Sequence, residues 1–313
     1  MSEAPAIAAV DWGTTRLRVW LLSGAGRVLA ERRGDDGLLS AREAGFPAVL
    51  ERHLAALGAP ATLPVIMCGM VGSRQGWVEA PYVDVPARIE AILQGAQRIA
   101  GQRRDMRIVP GLAQRSAEAP DVIRGEETQL AGAGLPGTGG QVVCMPGTHS
   151  KWVLVEDGTV SDFGTWPTGE LFSVLARHSI LRHSLGETPA PVLADDPVFR
   201  HWCGTALGEG GDFASRLFSI RAAGLLHDLE PEQAAACLSG LLIGAEIASA
   251  TRRYDAGGEP VTLIASGALG VLYGAALGLA GLEIRPVDAD EAVRAGLFSA
   301  ARHNGMVAEG TAA

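Results

Sequence analysis

Apolar and polar positions follow two rhythms along this chain. "AIAAVDWG", residues 6–13, is an unbroken apolar run closing on Asp11, Trp12 and Gly13, which predicts a buried strand ending in a turn. "RLRVWLLSGAGRVLAERR" predicts two more strands around Gly24-Ala25-Gly26, with Leu17, Val19 and Leu21 on one face and Arg16, Arg18 and Trp20 on the other. The period then lengthens: "FPAVLERHLAALG" reads as a helix, "PVIMCG" as a short buried strand, and "PARIEAILQGAQRIA" as an amphipathic helix opened by Pro86. "MRIVPG" predicts a strand and "EETQLAGAG" a helix closed by glycine.

The same order then begins again. "QVVCMPG" predicts a strand, and "KWVLVEDGTV" a hairpin turning at Asp157-Gly158. Leu171, Val174, Leu175, His178 and Leu181 form a helical stripe, and residues 195–253 read as wholly helical. "VTLIASG" is a strand, "ALGVLYGAALGLAG" a small-residue helix, "LEIRPV" a strand and "DADEAVRAGLFSAARH" a capped helix. "AAVDWGTTRLRVWLLSGAGRV" lies over "VVCMPGTHSKWVLVEDGTV", with Gly13-Thr14 over Gly147-Thr148. A strand, a Gly-Thr turn, a second strand, a glycine turn and a third strand occur twice, which is an internal duplication. The expected segments are 1–135, 140–287, and a final helix at 288–313 packing back on the first, with a linker in "GAGLPGTGG".

Charge and composition narrow the chemistry. The 313 residues carry a formal charge of −9 and no basic run longer than two residues, which argues against a nucleic-acid partner. An anionic ligand must then be held by a few arginines and by backbone N–H groups. Cys68, Cys144, Cys203 and Cys237 form no C-x-x-C pair, and Cys68 and Cys144 lie in apolar strands, which suits a reducing cytoplasm. The start of the chain does not read as a signal peptide. The most apolar long segment, 234–250, carries Glu246 and is short for a bilayer, so no membrane partner is expected. G-x-G-x-x-G occurs at 132–137, but a helix precedes it and a strand follows, the reverse of a dinucleotide site. No G-x-x-x-x-G-K-[ST] and no G-x-S-x-G is present.

The two Gly-Thr turns carry the strongest signal. Glycine lets the backbone approach an anion, and hydroxyl and N–H donors then point inward, so two such hairpins suit one polyphosphate. Asp11 ends the first strand and suits a Mg²⁺ ion held through water. "GMVGSRQGW" makes a poor core and a good polar loop, in which Arg74 offers a fork for a carboxylate and Ser73 and Gln75 suit hydroxyls. Phosphoryl transfer to an alcohol needs a carboxylate at the accepting hydroxyl.

"DWGTTRLR" and "GTHSKW" resemble the two phosphate motifs of the actin, hexokinase and Hsp70 ATPase superfamily, and "LIASGALGVLYGAAL" resembles its adenosine motif. More narrowly, "VDWGTTRLRVWLL", "GMVGSRQGWVEAPY", "DVIRGEETQLAG", "MPGTHSKWV" and "TGELFSVLARHSIL" are similar to the 2-dehydro-3-deoxygalactonokinase family. Pro167 stands before "GELF" where that pattern has Met, and residues 186–215 carry no matching stretch. The resemblance implies a two-domain α/β actin-like (ribonuclease H-like) fold with a duplicated βββαβα core. ATP and Mg²⁺ would lie in a cleft, and the γ-phosphoryl group would pass to the 6-hydroxyl of a sugar acid. It implies phosphate contacts from Gly13, Thr14, Thr15, Arg16, Gly147, Thr148, His149, Ser150 and Lys151, the chain's only lysine. Adenosine contacts would come from Ser266, Gly267 and Ala268, and sugar contacts from Gly72, Ser73, Arg74, Gln75, Gly169 and Glu170. Glu127 is the first choice for the catalytic carboxylate, before Glu126 and Asp121. Exopolyphosphatase, a nucleotide-switched regulator and a filament subunit share the superfamily, and a homodimer is compatible with the reading.

Overall fold

A computed structural model describes residues 3–208, 213–255 and 258–307; the outer ends of the expected segments, 1–2 and 308–313, lie outside the described residues. The chain divides into two compact units. The first comprises 1–138, 156–162 and 289–313, and the second 139–155 and 163–288.

In the first unit, β1 (Ile7–Trp12), β2 (Leu17–Leu22) and β3 (Val28–Gly34) form a meander, followed by α1 (Leu38–Ala44), α2 (Phe46–Ala56) and β4 (Val65–Gly69). A single 3₁₀ turn, Met70–Gly72, leads to β5 (Tyr82–Asp84), β6 (Ala87–Arg88), α3 (Ile89–Gln94), β7 (Gln97–Arg98) and β8 (Met106–Ile108). β9 (Gly111–Gln114), β10 (Asp121–Ile123) and α4 (Glu126–Gly132) complete this stretch. The main sheet runs β3-β2-β1-β4-β8-β7, with β1–β2 and β2–β3 antiparallel and β1–β4 and β4–β8 parallel.

The second unit opens with β11 (Gly140–Met145), β12 (Ser150–Glu156) and β13 (Thr159–Trp166), then α5 (Thr168–His178), α6 (Arg182–Leu185), α7 (Pro197–Gly208), α8 (Phe213–Leu226) and α9 (Pro231–Tyr254). β14 (Val261–Ile264), α10 (Gly267–Leu279) and β15 (Ile284–Val287) follow, and α11 (Ala289–His303) belongs to the first unit. The strand order β13-β12-β11-β14-β15 repeats β3-β2-β1-β4-β8, so the duplication seen in the residues is also one of topology. This is the actin-like ATPase fold. The tip of the β12–β13 hairpin, 156–162, groups with the first unit, where Thr159 and Val160 pair with Arg88 and Ala87. Asp157 and Gly158 both have positive φ at this turn, the geometry a two-residue hairpin loop demands.

Two expectations need correction. "PARIEAILQGAQRIA" is not one helix: it is β6, the six-residue α3 and β7, because residues 87–88 and 97–98 pair with neighbouring strands. The two faces of β2 divide as expected, with Leu17, Val19 and Leu21 in one core cluster and Trp20, with Leu22, buried in another under Val293, Leu297 and Ala300 of α11. Leu171 and Val174 of the α5 stripe are exposed, while Leu181 is buried. The small sheet β10-β9-β5 has no counterpart in the sequence reading; its strands are only three or four residues long. The long apolar helix α9 is a core helix, with 83% of its most apolar window buried. All four cysteines are buried and free.

Helices cross at glycine where they come closest. A Cβ on Gly132 of α4 would lie 1.8 Å from the Ala292 carbonyl oxygen, and one on Gly296 of α11 would lie 1.9 Å from that of Thr128. In the second unit, Gly240 and Gly244 of α9 meet the Phe199 and Cys203 carbonyls of α7 at 2.5 and 2.6 Å on the same construction. Gly296→Ala is therefore expected to cost at least about 2 kcal/mol, since neither backbone can retreat without disturbing the core. Gly137→Ala, which meets open space, is expected to stay within about 0.5 kcal/mol. Urea unfolding of the two variants checks this.

Candidate active site

Three chain segments converge at the C-terminal end of the first unit's central strands. Asp11 and Trp12 end β1, Cys68 and Gly69 end β4, and Gly125 to Glu127 open α4. Gly69 has φ +87°, and a Cβ there would meet the Trp12 carbonyl oxygen at 2.6 Å; Gly125, φ +111°, would set a Cβ in ordinary contact with the Gly69 Cα at 3.4 Å. Both backbone conformations favour glycine, and the close approach at Gly69 excludes any side chain. The Cys68 thiol donates to Asp11 Oδ1 at 3.8 Å. Asp11 keeps 21% of its side chain accessible, with the Arg18 guanidinium 3.9 Å away. Desolvation pushes the Asp11 carboxyl above its ordinary value; Arg18 opposes this, while Asp290 and Glu126 add to it.

Arg18 also donates to Asp290 in the first turn of α11, and Arg33 donates to the other oxygen of Asp290 at 2.8 Å. This arginine–carboxylate set was not anticipated, because Asp290 lies 272 residues from Arg18.

The two acids at the start of α4 differ sharply. Glu127 is 1% exposed, accepts the Gly125 N–H at 2.6 Å and accepts from the Thr128 hydroxyl at 3.0 Å. Burial, with Glu126 next to it, pushes its carboxyl up to about 8. Glu126 is half-buried and accepts the Arg124 N–H at 3.2 Å. Asp121 is on β10, where its carboxylate accepts the Val122 N–H.

The first Gly-Thr turn is closed by the Gly13 N–H on the Arg16 carbonyl, at 2.8 Å, and leaves Thr14, Thr15 and Arg16 exposed. Gly37, just before α1, packs directly on the Thr14 and Thr15 backbone. In the second turn Thr148 and His149 are exposed and Ser150 is buried, its Oγ accepting the Gly147 N–H at 3.4 Å. Lys151 is 5% exposed, and its ammonium donates to the His149 carbonyl at 3.0 Å, so it braces the turn's own backbone.

Gly169 and Glu170 lie against this second turn. A Cβ on Gly169 would meet the Gly147 carbonyl oxygen at 2.7 Å, the Glu170 N–H donates to the Thr148 carbonyl, and Glu170 Oε2 lies 2.7 Å from His149 Nε2. Pro167, the residue that departs from the family pattern, stands directly before α5 and leaves these contacts intact.

Within the second unit is a cavity of about 330 Å³, bordered by Gly147, Thr168, Leu242, Ala268, Leu272 and Tyr273 among others. Of the three expected adenosine residues, Ala268 borders it. Ser266 is exposed and donates to Asp288, and Gly267 takes positive φ at the start of α10. The loop after β4 leaves Arg74 89% exposed, 3.6 Å from Glu79, with Gln75 also exposed, while Gly72 is buried and Ser73 half-buried. Arg124 was not singled out by sequence; its guanidinium lies 4.2 Å over the Tyr82 ring and donates to the Ala80 carbonyl, pinning the end of that loop.

Comparison with known proteins follows from this arrangement. The profile of the family described as 2-keto-3-deoxy-galactonokinase matches residues 11–300. The chain belongs to that family. It is an ATP-dependent carbohydrate kinase. A protein from Rhizobium meliloti named as a probable 2-dehydro-3-deoxygalactonokinase is 49% identical over 303 residues, covering 96% of this chain and 98% of its own. The 2-dehydro-3-deoxygalactonokinase of Escherichia coli is 37% identical over 293 residues, covering 94% and 96%. The crystal structure of a candidate 2-dehydro-3-deoxygalactonokinase from Sinorhizobium meliloti superposes with a TM-score of 0.90 at 49% identity, covering 95% of this chain and 98% of that one.

The kinase should show the Glu127 proton in its stability. The folded carboxyl titrates near 8 and the unfolded one near 4.5. Between these values the native state binds more protons, so stability falls as pH rises, by up to about 1.4 kcal/mol per pH unit. Glu127→Gln is expected to flatten that fall and to be more stable than the parent at pH 8 but not at pH 4.5. Urea midpoints at the two pH values check it; an unchanged slope would put the proton on another group.

Proposed function

We propose that this kinase transfers the γ-phosphoryl group of ATP to the 6-hydroxyl of 2-dehydro-3-deoxy-D-galactonate, giving the 6-phosphate and ADP in galactonate breakdown. The substrate named for the relatives supports this reading. The observation that carries it is the pair of Gly-Thr turns at equivalent strand ends, the first beside a cluster of carboxylates that can serve an alcohol acceptor. The sugar acid and ATP are then the partners, and four buried thiols suit a reducing cytoplasm.

The adenosine belongs in the apolar cavity beside Ala268, Leu272 and Tyr273, next to Gly147 of the second turn. Exposed Thr14, Thr15, Arg16, Thr148 and His149 give both turns donors for phosphate oxygens. Asp11, partly accessible and near Glu126, suits one Mg²⁺ held partly through water. No group of three metal-ligating side chains exists among the described residues, which is how Mg²⁺ sites built on substrate phosphates look. The ion would neutralise charge on the phosphates as the transferred group departs.

Glu127 is 1% exposed, with one oxygen taken by the Gly125 N–H and the other by the Thr128 hydroxyl, which leaves it little access to an acceptor hydroxyl. Glu126 is the accepting carboxylate in this reading, half-buried and close enough to Asp11 to raise its pKa. Arg74 remains the loop's accessible cation for the sugar carboxylate.

Three measurements test the proposal. ADP release from MgATP across a panel of 2-keto-3-deoxy sugar acids is expected to be fastest with the galactonate derivative; equal rates across the panel would remove the substrate assignment. Glu126→Gln is expected to lower kcat at least about a hundredfold with little change in either KM. Arg74→Ala is expected to raise the sugar-acid KM about tenfold and leave the ATP KM alone. Full kcat in Glu126→Gln would move the base to Asp121 or Glu127.

A further inference from the structure

Four elements of the second unit meet on one buried carboxylate. Glu246 of α9 is 2% exposed and lines no part of the cavity. Trp152 Nε1 of β12 donates to it at 2.8 Å, the Tyr273 hydroxyl of α10 at 2.7 Å, and the Thr168 hydroxyl at the start of α5 completes the set. Tyr273 also lies 3.1 Å from Ser150 Oγ. A phenol has one proton, and Tyr273 gives it to Glu246. The Ser150 hydroxyl lies within reach of both the Tyr273 oxygen and Glu246, and its oxygen accepts the Gly147 N–H. These bonds tie the carboxylate to the turn.

The same carboxylate reaches the turn by a second route. Thr168 opens the helix whose Gly169 packs on the Gly147 carbonyl and whose Glu170 N–H holds the Thr148 carbonyl. Tyr273 and Thr168, two of the three donors, border the cavity. A carboxylate that merely filled space could be replaced by an apolar side chain without affecting the turn; this one holds the Tyr273 hydroxyl, which meets Ser150, and the Thr168 hydroxyl, which opens the helix packed on the turn.

We propose that Glu246 is a positioning residue: through Tyr273–Ser150 and through Thr168 it sets the second Gly-Thr turn for the polyphosphate, while taking no part in holding the nucleoside. The proposal rests on the reading of the cavity as the nucleotide site. It separates two affinities that a general packing role would move together.

Calorimetric binding of adenosine and of ADP to the protein tests it, using Glu246→Gln and Trp152→Phe, which removes one donor to the carboxylate from outside the cavity lining. Adenosine affinity is expected to stay within about twofold of the parent, and ADP affinity to fall about tenfold or more, the scale of one hydrogen bond to a charged group. In steady state the ATP KM should rise by a similar factor with the sugar-acid KM unchanged. Equal losses for adenosine and ADP, or no loss for either, would overturn the positioning role. If Glu246→Gln does not fold, Trp152→Phe alone decides between these outcomes. A parent protein that binds neither adenosine nor ADP would instead refute the cavity assignment, and this proposal with it.

Discussion

A carboxylate inside an apolar helix costs several kcal/mol unless donors surround it. Glu246 imposes that condition on the second unit. Meeting it requires the indole of Trp152, the hydroxyl of Thr168 and the hydroxyl of Tyr273 to arrive at one point from three other elements. The first residue of α5, the inward face of β12 and the roll of α10 about its axis are all fixed by that requirement. The second Gly-Thr turn inherits its shape from them, since Ser150 and Gly169 touch both sides of it.

The first unit solves a related problem with backbone instead of charge. Its acid cluster depends on β4 approaching β1 more closely than a side chain permits, at Gly69, and on the positive φ of Gly125 that turns the chain into α4. Gly132 and Gly296 then let α11 settle against α4 at backbone contact, which delivers Asp290 to Arg18 beside Asp11. Gly69, Gly132 and Gly296 therefore stand where the chain is brought close enough to gather these charged side chains. Ala in their place would keep the helix and lose the approach.

The duplicated strand–turn–strand pattern was legible in the sequence because its signal is local: an apolar run, a Gly-Thr pair and a second apolar run, twice. Asp11, the acids opening α4 and the two turns were legible for the same reason. Glu246 left only a faint trace, a lone acid in an apolar stretch. Its partners lie 94, 78 and 27 residues away, and no periodicity encodes such separations. Asp290 and Arg124 escaped notice likewise, since their roles come from tertiary neighbours. The opposite characters of Glu126 and Glu127 follow from which one the helix turns inward, and two adjacent identical residues cannot reveal that. Arg74 was read as a fork in a polar loop and Lys151 through the resemblance; the first lies exposed beside Glu79 and the second is tucked under its own turn.

The first unit is assembled from three separate stretches of chain, and its last piece is α11. Ile7, Ala9, Trp20, Leu22 and Ile66 form one hydrophobic cluster with Val293, Leu297, Ala300 and Ala301. During synthesis, then, one face of the earliest sheet waits, uncovered, while the entire second unit is translated. The half that leaves the ribosome first is the half that finishes last. An apolar face held open for so long is where a chaperone would bind the nascent chain, and a chain stopped before residue 289 would keep that face exposed.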